Sequence, residues 1–175
     1  MIWNFATQRL LFSGVIALLF AGGACTGPRQ VTASEKVSYY GNPASIISGG
    51  VIVPAGKKLH FTSGITCPVA DSTAGEGTPE RYGDTKTQAL GILKTLQATL
   101  TKNGLGMQDV IYLRVYVTPD RYRNNVVDFK GWNEAYSQYF GTRQNPTKPA
   151  RSTLGVASLV SADKFIEIEL VAVYP

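Results

Sequence analysis

The segment Val110–Val117, VIYLRVYV, constrains the fold more than any other part of the chain. It is β-branched and aromatic, and Ile111, Leu113, Val115 and Val117 alternate with Tyr112, Arg114 and Tyr116. A strand whose faces differ in polarity needs a layer over its apolar side, and two helical periodicities supply one. In Asp84 to Asn103, the residues Ala89, Ile92, Leu93, Leu96 and Leu100 recur at helix spacing, with Lys86, Gln88, Lys94 and Gln97 opposite. A second helix is read from Asn124 to Phe140, with Val126, Phe129, Trp132, Ala135, Tyr136 and Tyr139 on one side. Short strands are read at Lys36 to Tyr40, Ser45 to Val53 and Lys58 to Ser63. Pro54-Ala55-Gly56 is the hairpin turn between the last two, and Asp71 to Gly83 is a loop. Arg151 to Val156 and Lys164 to Tyr174 close the chain as strands. The order β-β-β-α-β-α-β-β describes an α+β fold with both helices on one face of a sheet. The 44% of hydrophobic residues suffices for a core in one domain of this size. The other sheet face, which also carries aromatic and aliphatic side chains, is expected to be covered by other subunits.

The N-terminus reads differently. Arg9 is the only charge before the apolar run Leu10 to Phe20, LLFSGVIALLF, and Ala21-Gly22-Gly23-Ala24 follow. A positive end, a short apolar stretch and a small-residue exit make residues 1–24 a secretory signal peptide. The run is too short for a spanning helix, which needs about 20 residues. Residues 25–35 form a tether. Cys25 opens two routes, lipid attachment after cleavage or plain cleavage near Ala24. The leucine usual three places before a lipidated cysteine is replaced by Gly22. Both routes place residues 36–175 outside the cytoplasm, in the periplasm or secreted, with the membrane met only through a lipid on Cys25. Cys67 is then the one unmodified thiol and reads as a small buried hydrophobe.

Composition removes several classes of function. Seventeen basic against twelve acidic side chains leave +5, and the basic residues are scattered, so no nucleic-acid groove is marked. Two cysteines build no disulfide framework, and one histidine excludes a multi-histidine metal cage. His60 with the nearby Ser63 makes no triad by itself, and no G-x-S-x-G elbow is present. The chemistry is concentrated near the C-terminus. In Phe165-Ile166-Glu167-Ile168-Glu169-Leu170, period two puts Glu167 and Glu169 on one face, opposite the isoleucines and Leu170. A carboxylate flanked by apolar residues needs a partner or a task, and Arg151 is the nearest candidate, its guanidinium fork suiting a carboxylate of protein or substrate. The plain alternative is a solvated strand face with a surface ion pair.

The string NPTKPARSTLGVASL followed by IEIELVAV resembles the signature of the reactive-intermediate deaminase family, RidA or YjgF, also called endoribonuclease L-PSP. Phe61-Thr62-Ser63-Gly64 and Asn133-Glu134-Ala135-Tyr136 add to the resemblance, which covers residues 36–175. It implies a chorismate-mutase-like sheet with two helices on one face, assembled as a homotrimer with active sites in the clefts between subunits. It implies hydrolysis of 2-imino acids to 2-keto acids and ammonia, with no metal and no organic cofactor. Arg151 matches the arginine that grips the substrate carboxylate, and Glu169 the glutamate that positions the attacking water. Thr153 stands where many members have a cysteine whose backbone carbonyl holds that water. Gly64 matches backbone lining the pocket and Asn133 a helix asparagine near the substrate. Ile47 falls where many active members carry a substrate-contacting tyrosine, for which Tyr39 or Tyr40 is a candidate replacement. A non-catalytic alternative keeps the same clefts, in a secreted trimer that binds small carboxylates or a partner protein.

Overall fold

The computed structural model describes residues 36–175. The signal peptide at 1–24 and the tether at 25–35, with Cys25, lie outside the described residues. Within them the elements run β1 (Ser38–Tyr40), β2 (Gly50–Ile52), β3 (Leu59–Phe61), β4 (Ile65–Thr66), α1 (Pro79–Tyr82) and α2 (Thr85–Lys102). A 3-10 turn at Met107–Asp109 leads into β5 (Val110–Val117). Then come β6 (Pro119–Asp120), β7 (Val126–Val127), α3 (Phe129–Tyr136), β8 (Ala150–Gly155) and β9 (Ile166–Val173).

The main sheet has the order β3-β9-β5-β8, with β4 also paired to β9. All these pairings are antiparallel except β5 with β8, which is parallel. Alternation sorts the side chains as expected. Leu113, Val115 and Val117 of β5 and Ile166, Ile168 and Leu170 of β9 are sealed against Ile92, Leu93 and Leu96 of α2 and Trp132, Ala135 and Tyr136 of α3. Each such Leu or Ile contributes about 1.5–3 kcal/mol on burial, so this layer supplies most of the driving force for folding. Both helices therefore cover one face, the α+β arrangement.

Local chemistry sets the ends of α2. The Asp84 carboxylate accepts from the Thr87 amide at 2.9 Å, capping the first turn, and Asn103 closes the last with Gly104 at φ +73° behind it. Gln88, expected on the polar face, is buried instead. Its amide donates to the Gly83 carbonyl at 3.1 Å and the Asp163 carbonyl at 2.9 Å, and accepts from the Phe165 amide at 2.8 Å. A buried amide so satisfied ties the start of α2 to the start of β9.

Three further expectations are corrected. The second helix begins at Phe129, not near Asn124, because Asn124 and Asn125 adopt φ of 54° and 55° and turn the chain between β6 and β7. Asp128 then caps α3 by accepting from the Gly131 amide at 2.8 Å. Val126 and Phe129 consequently lie exposed, outside the apolar stripe. The loop read at 71–83 contains the single helical turn α1, entered through Pro79. Finally, Pro54-Ala55-Gly56 joins two sheets rather than two strands of one hairpin, since β2 pairs with β1 while β3 pairs with β9. Among the described residues no helix is long and apolar enough to cross a membrane.

Candidate active site

Strand β8 is the edge of the main sheet, and its alternation divides its residues between the two faces. Arg151 and Thr153, opposite Leu113 and Val115 of β5, point to the helix side. Ser152, opposite Arg114, points to the other, where its hydroxyl accepts from the Tyr112 phenol at 2.8 Å. On the helix side Arg151 meets the first turns of α3. Its Nη2 donates to Asn133 Oδ1 at 2.8 Å, and its guanidinium carbon lies 4.5 Å from the centre of the Tyr136 ring and 5.3 Å from that of Trp132. Nε and Nη1 of the same guanidinium are buried and have no hydrogen-bond partner among the described residues. Burial pushes the Arg151 pKa down, opposed by the neighbouring Tyr136, and burial pushes the Tyr136 phenol up to about 12. At neutral pH the pair is a cation against a neutral phenol.

Thr153 completes this cluster through Trp132, whose indole Nε1 donates to Thr153 Oγ1 at 3.3 Å. Arg151, Asn133 and Thr153 are thus brought together around one pair of aromatic rings.

Glu169 and Gly64 are not part of it. In the register of β5 with β9, Glu169 stands opposite Arg114 and forms an ion pair with it on the uncovered face. Arg114, not Arg151, is therefore the partner of the motif glutamate, because Arg151 projects from the other side of the sheet. A cavity of about 170 Å³ opens beside this pair, walled by Phe61, Tyr112 and Val171. Gly64 lies on the same uncovered face, against the Glu167 carboxylate, which a Cβ there would have to displace. Glu167 and Glu169 do share a face, as their spacing requires.

Ile47 is packed against the core, and the carbonyl of its neighbour Ile46 accepts from the Tyr136 hydroxyl at 3.2 Å. The rings on Arg151 are Trp132 and Tyr136. Tyr39 instead points its hydroxyl at the Val110 carbonyl, 3.5 Å away, and Tyr40 is exposed. His60 sits on β3 opposite Ala172 and makes no side-chain hydrogen bond among the described residues. Cys67 is buried, and that burial raises its pKa against the pull of Lys164, whose Nζ lies 3.6 Å from the sulfur. Among the described residues no group of three His, Cys, Asp or Glu side chains is placed to hold a metal ion.

The family model Endoribonuclease L-PSP matches residues 53–174. The chain belongs to this family. Its relatives include a RutC family protein of Pyrococcus horikoshii, 37% identical over 90 residues. That alignment covers 51% of this chain and 63% of the relative, so it spans less than two thirds of that protein. The Escherichia coli protein TdcF, provisionally named a reactive intermediate deaminase, is 35% identical over 115 residues, or 66% of this chain and 78% of TdcF. A crystal structure of Escherichia coli TdcF with bound serine superposes with a TM-score of 0.51 at 32% identity, covering 75% of this chain and 96% of that one. The L-PSP fold is therefore the α+β sheet with two helices described above, and the family is the RidA/YjgF family that the C-terminal motif resembles.

Trp132, Tyr136 and Arg114 are the site residues that the sequence reading missed. Arg114 was visible as the charge on the polar side of β5. Trp132 and Tyr136, four apart on α3, fit an ordinary core stripe equally well.

Proposed function

We propose that this L-PSP family protein hydrolyses 2-imino acids to 2-keto acids and ammonia, in a cleft completed by a second copy of the chain. One observation carries the reading: a buried guanidinium with two nitrogens lacking partners among the described residues, beside Asn133 and Thr153. A buried cation left this way is costly unless an anion satisfies it, and the carboxylate of a small acid does so through charge-assisted hydrogen bonds. Holding that carboxylate fixes the position of the adjacent C=N carbon. Water adds to that carbon as one of its protons passes to a general base, which returns it to the nitrogen; the hydroxyl proton of the resulting carbinolamine follows as the C–N bond breaks, releasing ammonia and leaving the keto group. Glu169 suits the base, with its carboxylate held in place by Arg114.

Arg151 and Glu169 cannot serve one substrate from the same chain. They project from opposite faces and are two strand spacings apart, about 10 Å. A site using both takes Arg151 from one copy and Glu169 from another, which accords with the exposed apolar side chains Phe61 and Leu154 on or beside the uncovered face. Export, with or without a lipid on Cys25, belongs to the same proposal and rests on residues 1–25 alone; fractionation of cells making the full chain tests it.

The test of function follows the decay of 2-iminopropanoate and 2-iminobutanoate, generated in situ by an amino-acid oxidase and trapped with semicarbazide. Wild type shortens the lifetime of the imine. Glu169→Ala loses most of that acceleration while still binding a 2-keto acid. If Glu169→Ala works as fast as wild type, the glutamate has no part in the reaction. If wild type binds the keto acid but gives no acceleration, the cleft is a binding site only.

A further inference from the structure

We infer that Trp132 is a positioning residue, whose indole N–H turns the Thr153 hydroxyl into a hydrogen-bond donor aimed at the imine end of a substrate held by Arg151. The inference rests on the deaminase reading above and adds to it a role for two side chains. A threonine hydroxyl can accept and donate, and its proton rotates to suit its neighbours. Here Trp132 Nε1, which can only donate, points at Thr153 Oγ1 from 3.3 Å. With one of its two lone pairs engaged by the indole, the hydroxyl is polarised towards donating its own proton. Trp132 is fully buried, wedged edge-on against Tyr136 with ring centres 5.6 Å apart, so the indole has little freedom to release the oxygen.

The strand places that proton usefully. Arg151 and Thr153 are two residues apart on one face of β8, about 7 Å along the strand. A 2-imino acid whose carboxylate lies at Arg151 carries its nitrogen on the neighbouring carbon. A hydroxyl one side-chain step along the strand can donate to that nitrogen, which draws electrons from the C=N bond and favours attack by water. The side chain of Thr153 thereby acts on the chemical step, whereas the rings of Trp132 and Tyr136 against Arg151 act on binding.

That division gives the test. Trp132→Phe keeps a ring beside Arg151 and removes the N–H; Thr153→Val keeps the shape and removes the hydroxyl; Thr153→Ser keeps the hydroxyl. Imine hydrolysis is measured as separate kcat and KM for these variants and for the Trp132→Phe/Thr153→Val double variant, with folding checked by circular dichroism. Loss of one neutral hydrogen bond predicts about a five- to ten-fold lower kcat for Trp132→Phe and for Thr153→Val, with KM within about two-fold. The double variant should be no slower than Thr153→Val alone, and Thr153→Ser should retain most of the activity. Multiplying effects in the double variant, or a raised KM with unchanged kcat in Trp132→Phe, would show that Trp132 works by packing Arg151, and would overturn the inference while leaving the deaminase intact. Thr153→Val, which keeps the Trp132 ring and the volume at position 153, decides the role of the hydroxyl even if Trp132→Phe folds poorly, provided its circular dichroism matches that of wild type. A wild type without imine hydrolysis would instead remove the reading on which the inference stands.

Discussion

On the helix-covered face of the sheet, Leu113, Val115, Ile168 and Leu170 are excluded from solvent, and a charge on the same face, Arg151, is boxed by two aromatic rings and one amide. On the opposite face the same strands present Tyr112, Arg114, Tyr116, Glu167 and Glu169, with Phe61 68% exposed beside them. Arg114 and Glu169 on the uncovered face are paired where water can still reach them, within a single chain. Charge on the covered face has been desolvated and left short of partners. The contrast teaches where chemistry is expected. A protein tolerates an incompletely paired buried cation where something outside the chain completes it.

The sharpest way to break this comparison is to remove the buried cation. Arg151→Ala should lower kcat/KM for imine hydrolysis by about a thousand-fold, since it removes both the charge and the orientation of the substrate. The fold should survive, because the hydrophobic layer beneath does not depend on that guanidinium. Co-expressing Arg151→Ala with Glu169→Ala tests the two-copy site directly. Mixed assemblies recover activity if the two residues come from different subunits, and a mixture as inactive as its parents would place both in one chain.

Truncation in the core separates the faces by stability. Ile168→Ala should cost about 2–5 kcal/mol in chemical denaturation, because the side chain is fully buried between α2 and the sheet. Its neighbour in sequence, Glu169, points the other way, and Glu169→Ala should leave the denaturation midpoint nearly in place. Equal losses at the two positions would contradict the sidedness of β9.

A third effect, confined to alkaline solution, comes from Tyr136. Its phenol is raised to about 12 in the folded chain, against an ordinary value near 10, so the folded state holds a proton that the unfolded state releases. Stability from this group is full below pH 10 and is lost as pH rises toward 12, by about 2–3 kcal/mol in all. Tyr136→Phe has no such proton to lose, so the difference in stability between wild type and variant should shrink over that interval. A difference independent of pH would mean that the phenol is not desolvated.

The amino-acid sequence made the covered face legible and the uncovered one only partly so. Alternation in VIYLRVYV gave β5 its observed bounds, the helical period over Asp84 to Asn103 gave α2 its extent, and period two placed Glu167 and Glu169 together. These are local properties, and local patterns report them. The pairing of β5 with β9 is not local, so nothing near Glu169 disclosed Arg114 as its partner or put Arg151 on the other side. Asn124 and Asn125 show a different limit. The apolar spacing after them continues a helix on paper, while their left-handed backbone ends any helix before it starts. Arg151, Asn133 and Thr153 were found as a set through the family motif, whereas the role of Trp132 and Tyr136 emerges only from where α3 lands on β8.

The smallest expected effect sharpens the comparison most finely. Arg114→Ala removes the partner of Glu169, and an exposed ion pair of this kind contributes little to stability because water and salt already screen it. The thermal midpoint should therefore stay within about 1 °C of wild type, in low and in high salt. Activity should still fall, because the carboxylate loses the group that fixes its direction, and the fall should appear in kcat with KM little changed. A variant that melts early would mean that the uncovered face is structural, built like the covered one with charges in place of methyl groups. A variant with full stability and full activity would mean that Glu169 finds its direction from the neighbouring copy, and that Arg114 serves the contact between subunits instead.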